Sequence, residues 1–315
     1  MSARIAIVAV CASAAVAAGA AFGAQRAGRI QLGVAGNPAQ FRAATGQHSS
    51  VRLIILAWNQ GGSPRYFTRL FSTMLDEPML GLGIPNGSAL TPADVAHGRG
   101  DAWLVAINHA VAAWAKPIYV RPLAEMNGWW SSYSAYNENG STRGAAYSTA
   151  MYRKAFARIY LIVHGDVDAN TKLARLGLPP VRGTLAPANN VQVIWNPQGY
   201  GSPDLPGNTA AAYYPGNAYV DVVGDDLYDQ NYKAEWAAAG ALYRAHPGKR
   251  FAFPEWGLWA IDDPTFVKTM ASFLRSHPRT VLASYFNLRH GSIWDMSSKP
   301  RSRAAFRRYI DPLAP

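Results

Sequence analysis

Cysteine is almost absent from this sequence: Cys11 is the only one among 315 residues. A single thiol rules out a disulfide framework and a cysteine-built metal site. The seven histidines (His48, His97, His109, His164, His246, His277, His290) stand in no metal-ligand spacing with cysteine or glutamate, so neither a metal nor another cofactor is expected. Phosphate loops are missing as well, because Gly33-Val34-Ala35-Gly36 and Gly81-Leu82-Gly83 are too short for a dinucleotide fingerprint. There is no Walker A sequence and no Gly-x-Ser-x-Gly elbow. Lys plus Arg number 30 against 19 Asp plus Glu, a formal charge of +11, yet the basic residues form no sustained stripe. The cluster Lys299, Arg301, Arg303, Arg307 and Arg308 reads as a solvated C-terminal helix face, so no nucleic-acid partner is expected. Glutamate is the scarcest charge, with only Glu77, Glu125, Glu138, Glu235 and Glu255.

What is present begins with a leader. One positive charge at Arg4, an apolar run from Ile5 to Phe22 and small residues around Ala18–Ala24 read as a signal peptide over residues 1–24. The alternative for such a run is a membrane anchor. Export and cleavage predict a secreted protein, extracellular or periplasmic, with no stable membrane insertion. Residues 25–315 then form one domain whose stability rests on its core, since 49% of residues are hydrophobic. A monomer is expected.

Eight short runs rich in Val, Ile and Leu follow the leader: Ile30–Val34, Arg52–Trp58, Met79–Gly83, Ile118–Leu123, Val191–Trp195, Val220–Gly224, Arg250–Pro254 and Val281–Phe286. They are nearly continuous rather than alternating, as parallel strands buried on both faces are. Helical segments separate them: Ser63–Met74, Pro92–Ala115, Ser148–His164, Lys233–Ala245, Pro264–Ser276 and Ser302–Tyr309. This rhythm predicts the α/β class, a single (β/α)₈ TIM barrel, ahead of an open doubly wound sheet. Ser131–Tyr147 and Asn196–Tyr214, dense in Asn, Gly, Ser, Pro and Tyr, would then lie on the C-terminal face where barrels carry their sites.

Two of the five glutamates fall where a barrel places its chemistry. Ile118–Leu123 runs into Ala124-Glu125-Met126-Asn127-Gly128-Trp129-Trp130, and Phe251–Pro254 runs into Glu255-Trp256-Gly257. Glu125 is expected to close the fourth strand and Glu255 the seventh. Two facing carboxyls across a sugar-sized cleft are what glycoside hydrolysis needs, one as proton donor and the other as nucleophile or base. The indole neighbours disfavour ionisation and let one carboxyl remain an acid. Seven of the ten tryptophans, Trp58, Trp129, Trp130, Trp195, Trp256, Trp259 and Trp294, fall at or just after predicted strand ends, where indole faces would stack on sugars.

These segments resemble glycoside hydrolase family 26, retaining (β/α)₈ enzymes best known as endo-β-1,4-mannanases. Arg121-Pro122-Leu123-Ala124-Glu125-Met126-Asn127-Gly128 is similar to the family's Arg-Pro-x-His-Glu-Met-Asn-Gly motif. His97–Leu104, Asn190–Pro197, Tyr214–Asp221 with Asp226-Leu227-Tyr228, Pro254-Glu255-Trp256-Gly257, and Tyr285–Asn287 with Trp294-Asp295 resemble further family stretches. The resemblance implies that Glu125 is the acid/base, that Glu255 is the nucleophile, and that Tyr228 hydrogen-bonds the nucleophile. It places Arg121, Asn127, Trp129, Trp130, Trp195, Asn196, Asp226, Trp256 and Trp294 in substrate binding, with Arg121 equally readable as an interior ion-pair partner. The implied partner is a polysaccharide or oligosaccharide, first a β-mannan, with another β-glycan or a non-catalytic carbohydrate-binding barrel as alternatives. Ala124 departs from the family, which places histidine there.

Overall fold

The computed structural model describes residues 30–74, 77–83, 90–114 and 116–314. The expected leader lies outside the described residues. Eight parallel strands close into a barrel in chain order. They are β1 (Gln31–Gly36), β2 (Val51–Leu56), β3 (Glu77–Leu82), β4 (Ile118–Pro122), β5 (Val191–Trp195), β6 (Val222–Gln230), β7 (Arg250–Trp259) and β8 (Thr280–Leu288). All eight expected strands are present, and the (β/α)₈ barrel is the observed fold. The length of β6 and β7 differs from expectation. They remain paired beyond the rim, from Asp226 opposite Glu255 to Gln230 opposite Trp259, after a register shift between Gly224 and Asp226. Glu255 therefore sits inside β7 instead of closing it, and Glu125 lies in the turn beyond β4.

The outer layer comprises α1 (Pro38–Thr45), α2 (Pro64–Ser72), α3 (Pro92–Ala96), α4 (Asp101–Trp114), α5 (Thr149–Val163), α6 (Ala169–Arg175), α7 (Trp236–Ala245), α8 (Pro264–Ser276) and α9 (Pro300–Tyr309). The expected helix over 92–115 is two helices. Gly98 (φ +95°) and Gly100 (φ +96°) hold left-handed backbone that breaks the helical run. Thr91 and Asp94 form a reciprocal capping box on α3, and Asp263 caps α8 by accepting from Thr265 N at 2.8 Å. Asp101, in the first turn of α4, pairs with buried Arg158 of α5 at 2.8 and 2.5 Å and ties these helices together. The short helices α1 and α6 were not expected.

Burial follows strand periodicity. A small cluster from all eight strands, including Leu53, Met79, Tyr119, Ile194, Val222, Ala252 and Leu282, plugs the barrel interior. A larger one, including Phe67, Trp103, Phe156, Trp195, Trp256 and Phe306, fills the space between barrel and helices. The interior polar layer is built on top of the first cluster. Among the described residues, no helix is long and apolar enough to cross a membrane, and no group of three or more His, Cys, Asp or Glu side chains is placed to hold a metal ion.

Candidate active site

A cleft of about 810 Å³ opens at the C-terminal ends of the strands. Its floor and walls include Glu125, Asp226, Tyr228 and Glu255, with Trp129, Trp130 and Tyr200 on the side of the β4 and β5 loops and Trp259 and Trp294 across from them. Glu125 and Glu255 thus share one cavity, as their positions in the sequence predict.

Arg121 organises the floor. Side chains at alternate positions of β4 point inward, so Tyr119 fills the interior plug and Arg121 lies one layer above it. Its guanidinium is 2% exposed and spends its donors on three partners: Nε to Asn196 Oδ1 at 2.9 Å, Nη1 to Glu255 Oε1 at 2.6 Å, and Nη2 to Asp226. Such a fork suits a cation that must serve several acceptors at once. Burial opposes its charge, but Asp226, Glu255 and Glu125 outweigh burial and raise its pKa. Of its two readings, the interior ion pair is the one observed; Arg121 does not line the cleft. The other oxygen of Glu255 accepts from Tyr228 Oη at 2.7 Å, and Glu255 N donates to Asp226 Oδ1 at 3.1 Å. Both carboxylate oxygens of Glu255 are therefore held, one by a donor on adjacent β6 and the other by a donor reaching across the barrel from β4. Burial, and then Glu255, push the Tyr228 phenol well above its ordinary range, so it remains a donor.

Glu125 is held differently. Its backbone is left-handed (φ +56°), and its N–H donates to Asn196 O at 2.7 Å, which turns the chain back over the rim. Trp130 Nε1 donates to Oε2 at 2.7 Å and Gln198 Nε2 donates to Oε1 at 2.5 Å. Gly128 permits the first contact, because a Cβ there would stand 2.5 Å from the Trp130 indole. Desolvation raises the Glu125 pKa, and Glu255 raises it further against the pull of Arg121. One carboxyl is thus disposed to keep a proton while its partner is fixed by donors, the division of labour an acid and a nucleophile require.

The other expected site residues divide between cleft and scaffold. Trp129, Trp130, Asp226 and Trp294 line the cleft. Trp195 and Trp256 do not: each is fully buried behind the barrel, Trp195 against Tyr214 and His246, and Trp256 stacked on Phe306 at 5.7 Å. Alternation explains Trp195, which stands between inward Ile194 and Asn196; in β7 an irregularity between Ala252 and Glu255, both inward, resets the alternation and sends Trp256 outward. Trp58 is also core, donating to Tyr133 Oη at 2.7 Å. The rim reading of seven tryptophans reduces to four. Asn127 and Asn196 are buried scaffold: Asn127 Nδ2 donates to the carbonyls of Gln198 and Tyr200, each at 2.9 Å, and its Oδ1 accepts from Gln198 N at 2.8 Å. Gln198, Tyr200, Gln230, Asn231, Lys233 and Glu235 line the cleft without having been singled out. The polar loop after β5 was the only sequence signal for the first two.

Asp225 is a further buried carboxyl beside this site. It is 2% exposed and accepts from Gly199 N at 2.9 Å. Burial drives its pKa up to about 8, against the pull of the Gly199 bond. The folded state then keeps a proton that the unfolded chain, with an ordinary value near 3.8, would release. Stability from this group is complete below about pH 4 and is lost as pH rises through about 8. Asp225→Asn keeps the acceptor without the ionisation. Its Tm should match wild type at pH 4 and exceed it by several degrees at pH 8, at ~2–4 °C per kcal/mol for a domain of this size. Equal Tm values at both pH values would remove the buried proton from the account.

An eight-stranded barrel with two such carboxyls on its C-terminal face is a barrel of the glycoside hydrolase type. Glycosyl hydrolase family 26 matches at residues 191–271, the stretch from β5 into α8. The sequence resemblance to glycoside hydrolase family 26 is borne out over that stretch. Among curated proteins, endoglucanase H of Acetivibrio thermocellus is 23% identical over 239 residues, 69% of this chain. The chain spans about a quarter of that relative's length, 23%. Among solved structures, a mannanase of Bacillus subtilis superposes with a TM-score of 0.58 at 18% identity, covering 89% of this chain and 85% of the other. A family 26 β-mannanase of Bacteroides ovatus gives 0.59 at 16% identity, covering 91% and 90%. At these identities the superpositions speak for the fold.

Proposed function

We propose that the chain is an exported, retaining endo-β-glycanase whose first substrate is a β-1,4-mannan. The observation that carries this reading is the pairing of Glu255, held by Arg121 and Tyr228, with Glu125, whose burial favours the acid, in one aromatic-walled cleft. Glu255 attacks the anomeric carbon as Glu125 gives its proton to the departing glycosidic oxygen, leaving a glycosyl ester on Glu255. Water then attacks the same carbon, gives a proton to Glu125, and the ester bond to Glu255 breaks.

The cleft carries Glu125, Asp226, Glu235 and Glu255 against Lys233, so its lining supports a neutral glycan over an anionic one, whatever the overall charge of +11. The mannanase identity of the two structural neighbours supports mannan. The endoglucanase relative, together with Ala124 in place of the family's histidine, supports a second reading in which a β-1,4-glucan is cleaved by the same machinery. Incubation of the mature protein with mannan, glucan and xylan, followed by reducing-end assay and NMR of the first-formed anomer, separates these. Mannan should be cut internally with a β anomer appearing first. An α anomer would sink double displacement, and binding without cleavage would select a carbohydrate-binding barrel.

A further inference from the structure

The acid/base glutamate has a partner that no family motif singled out. Gln198 is 5% exposed, in the loop after β5, and its main chain is clamped on both sides by one side chain: Asn127 Oδ1 takes its N–H and Asn127 Nδ2 gives to its carbonyl. Gly199, the next residue, is anchored on Asp225. A loop residue fixed at three points can hold its side chain in one place, and that side chain donates to Glu125 Oε1 at 2.5 Å.

We propose that Gln198 is a positioning residue for proton transfer, holding Glu125 by a charge-assisted hydrogen bond that strengthens when Glu125 has given its proton away. The inference rests on the proposed role of Glu125 and names a regulator of it. The chemistry follows from donors and acceptors. The Trp130 indole can only donate, and the Gln198 amide presents its NH₂ to the carboxyl. Neither can take the acid's proton, so that proton is directed toward the open cleft or toward Asp226, within hydrogen-bonding reach of Glu125. As the proton passes to the leaving oxygen, the new carboxylate meets two donors already in place, with no reorganisation. When water later returns a proton, Glu125 is again an acid with its outward face free.

The charged and titratable groups around Glu125 are Arg121 on β4, Asp225, Asp226 and Tyr228 on β6, Glu255 on β7 and Tyr200 in the β5 loop. Arg121 favours its ionised form, and Glu255 opposes it. Removing the Gln198 donor therefore tips the balance toward the acid, whereas moving any of the others changes several members at once.

The test is Gln198→Leu, with Gln198→Glu as the near-isosteric variant that replaces the donor by a like charge. The alkaline limb of kcat/KM, set by loss of the Glu125 proton, should move up by about one to two pH units in Gln198→Leu, the shift expected when a donor to a charged carboxylate is removed. Gln198→Glu should move it at least as far. A readout independent of turnover is available because glutamate is scarce: ¹³C-carboxyl NMR of glutamate-labelled protein follows only Glu77, Glu125, Glu138, Glu235 and Glu255, with one added carboxyl in Gln198→Glu. The Glu125 resonance, identified by its loss in Glu125→Gln, should titrate higher in both variants. An unmoved Glu125 titration, with turnover merely lowered, would overturn the proposal and leave Gln198 a loop filler. A wild-type protein that cleaves no glycan would instead overturn the proposed function, while the NMR titration would still decide the role of Gln198.

Discussion

Glu255→Ala is expected to lower turnover on the substrate by about 10⁵-fold with the fold intact, the scale on which hydrolases lose rate when a covalent nucleophile is removed. The position accounts for the intact fold. Glu255 is 7% exposed, Arg121 keeps Asp226 and Asn196 as partners without it, and the cleft can admit water to Tyr228. Glu125→Ala is expected to cost less, about 10²–10⁴-fold, the usual worth of a general acid or base. The two losses differ in kind. Without Glu125, a leaving group that departs unprotonated, such as dinitrophenolate, should restore formation of the glycosyl ester, whereas without Glu255 it should not. Added azide discriminates further. It should fill the vacated side in Glu255→Ala and give the α-glycosyl azide, but replace water in Glu125→Ala and give the β-azide. Reading the product anomers by NMR checks both assignments. Exchanged anomers would reverse the roles of the two glutamates, and near wild-type turnover in either variant would remove it from the mechanism.

The carboxyl pair was legible in the sequence because each glutamate follows directly on an apolar strand, and strand ends are where a barrel exposes side chains to a common axis. The tryptophans were legible only in part. Nearness to a strand end does not decide between axis and helix layer; parity does. Trp195 stands between inward Ile194 and Asn196 and so joins the outer core against Tyr214, whereas Trp256 packs there on Phe306 because an irregularity in β7 shifts the alternation between inward Ala252 and inward Glu255. The extension of β6 and β7 past the rim carried no comparable signal. It depends on pairing between distant segments, through a register shift that a local pattern does not display. Gln198 was hidden for a related reason. Its importance comes from Asn127, far away in sequence, whose side chain fixes it, and loop composition alone marks neither partner. The break between α3 and α4, by contrast, was written in Gly98 and Gly100, whose left-handed backbone ends one helix before the next begins.

The charge network beneath the cleft has the largest expected effect on stability. Arg121→Leu removes the cation that two carboxylates and the Asn196 side-chain oxygen all address, and leaves Asp226 2% exposed without its guanidinium. Breaking a buried pair from one side costs roughly 3–5 kcal/mol, because the remaining charge is stranded away from water. Thermal unfolding should therefore begin about 10 °C lower, at ~2–4 °C per kcal/mol. Burial pushes the Asp226 carboxyl well above its ordinary range even with Arg121 opposing it. With the cation gone, Asp226 should take up a proton more readily still, so the loss of stability should shrink on acidification. Arg121→Lys supplies a compact charge that cannot reach three acceptors in one plane, so an intermediate Tm is expected. Arg121→Leu combined with Asp226→Asn removes the stranded charge and should regain part of the Tm, a non-additivity that a double-mutant cycle measures. Turnover should not return with it, because Glu255 would still have lost the donor at its Oε1. A wild-type Tm in Arg121→Leu would mean that the network is not what holds the top of the barrel. Recovered activity in the double variant would mean that Tyr228 alone is enough to hold Glu255 for attack.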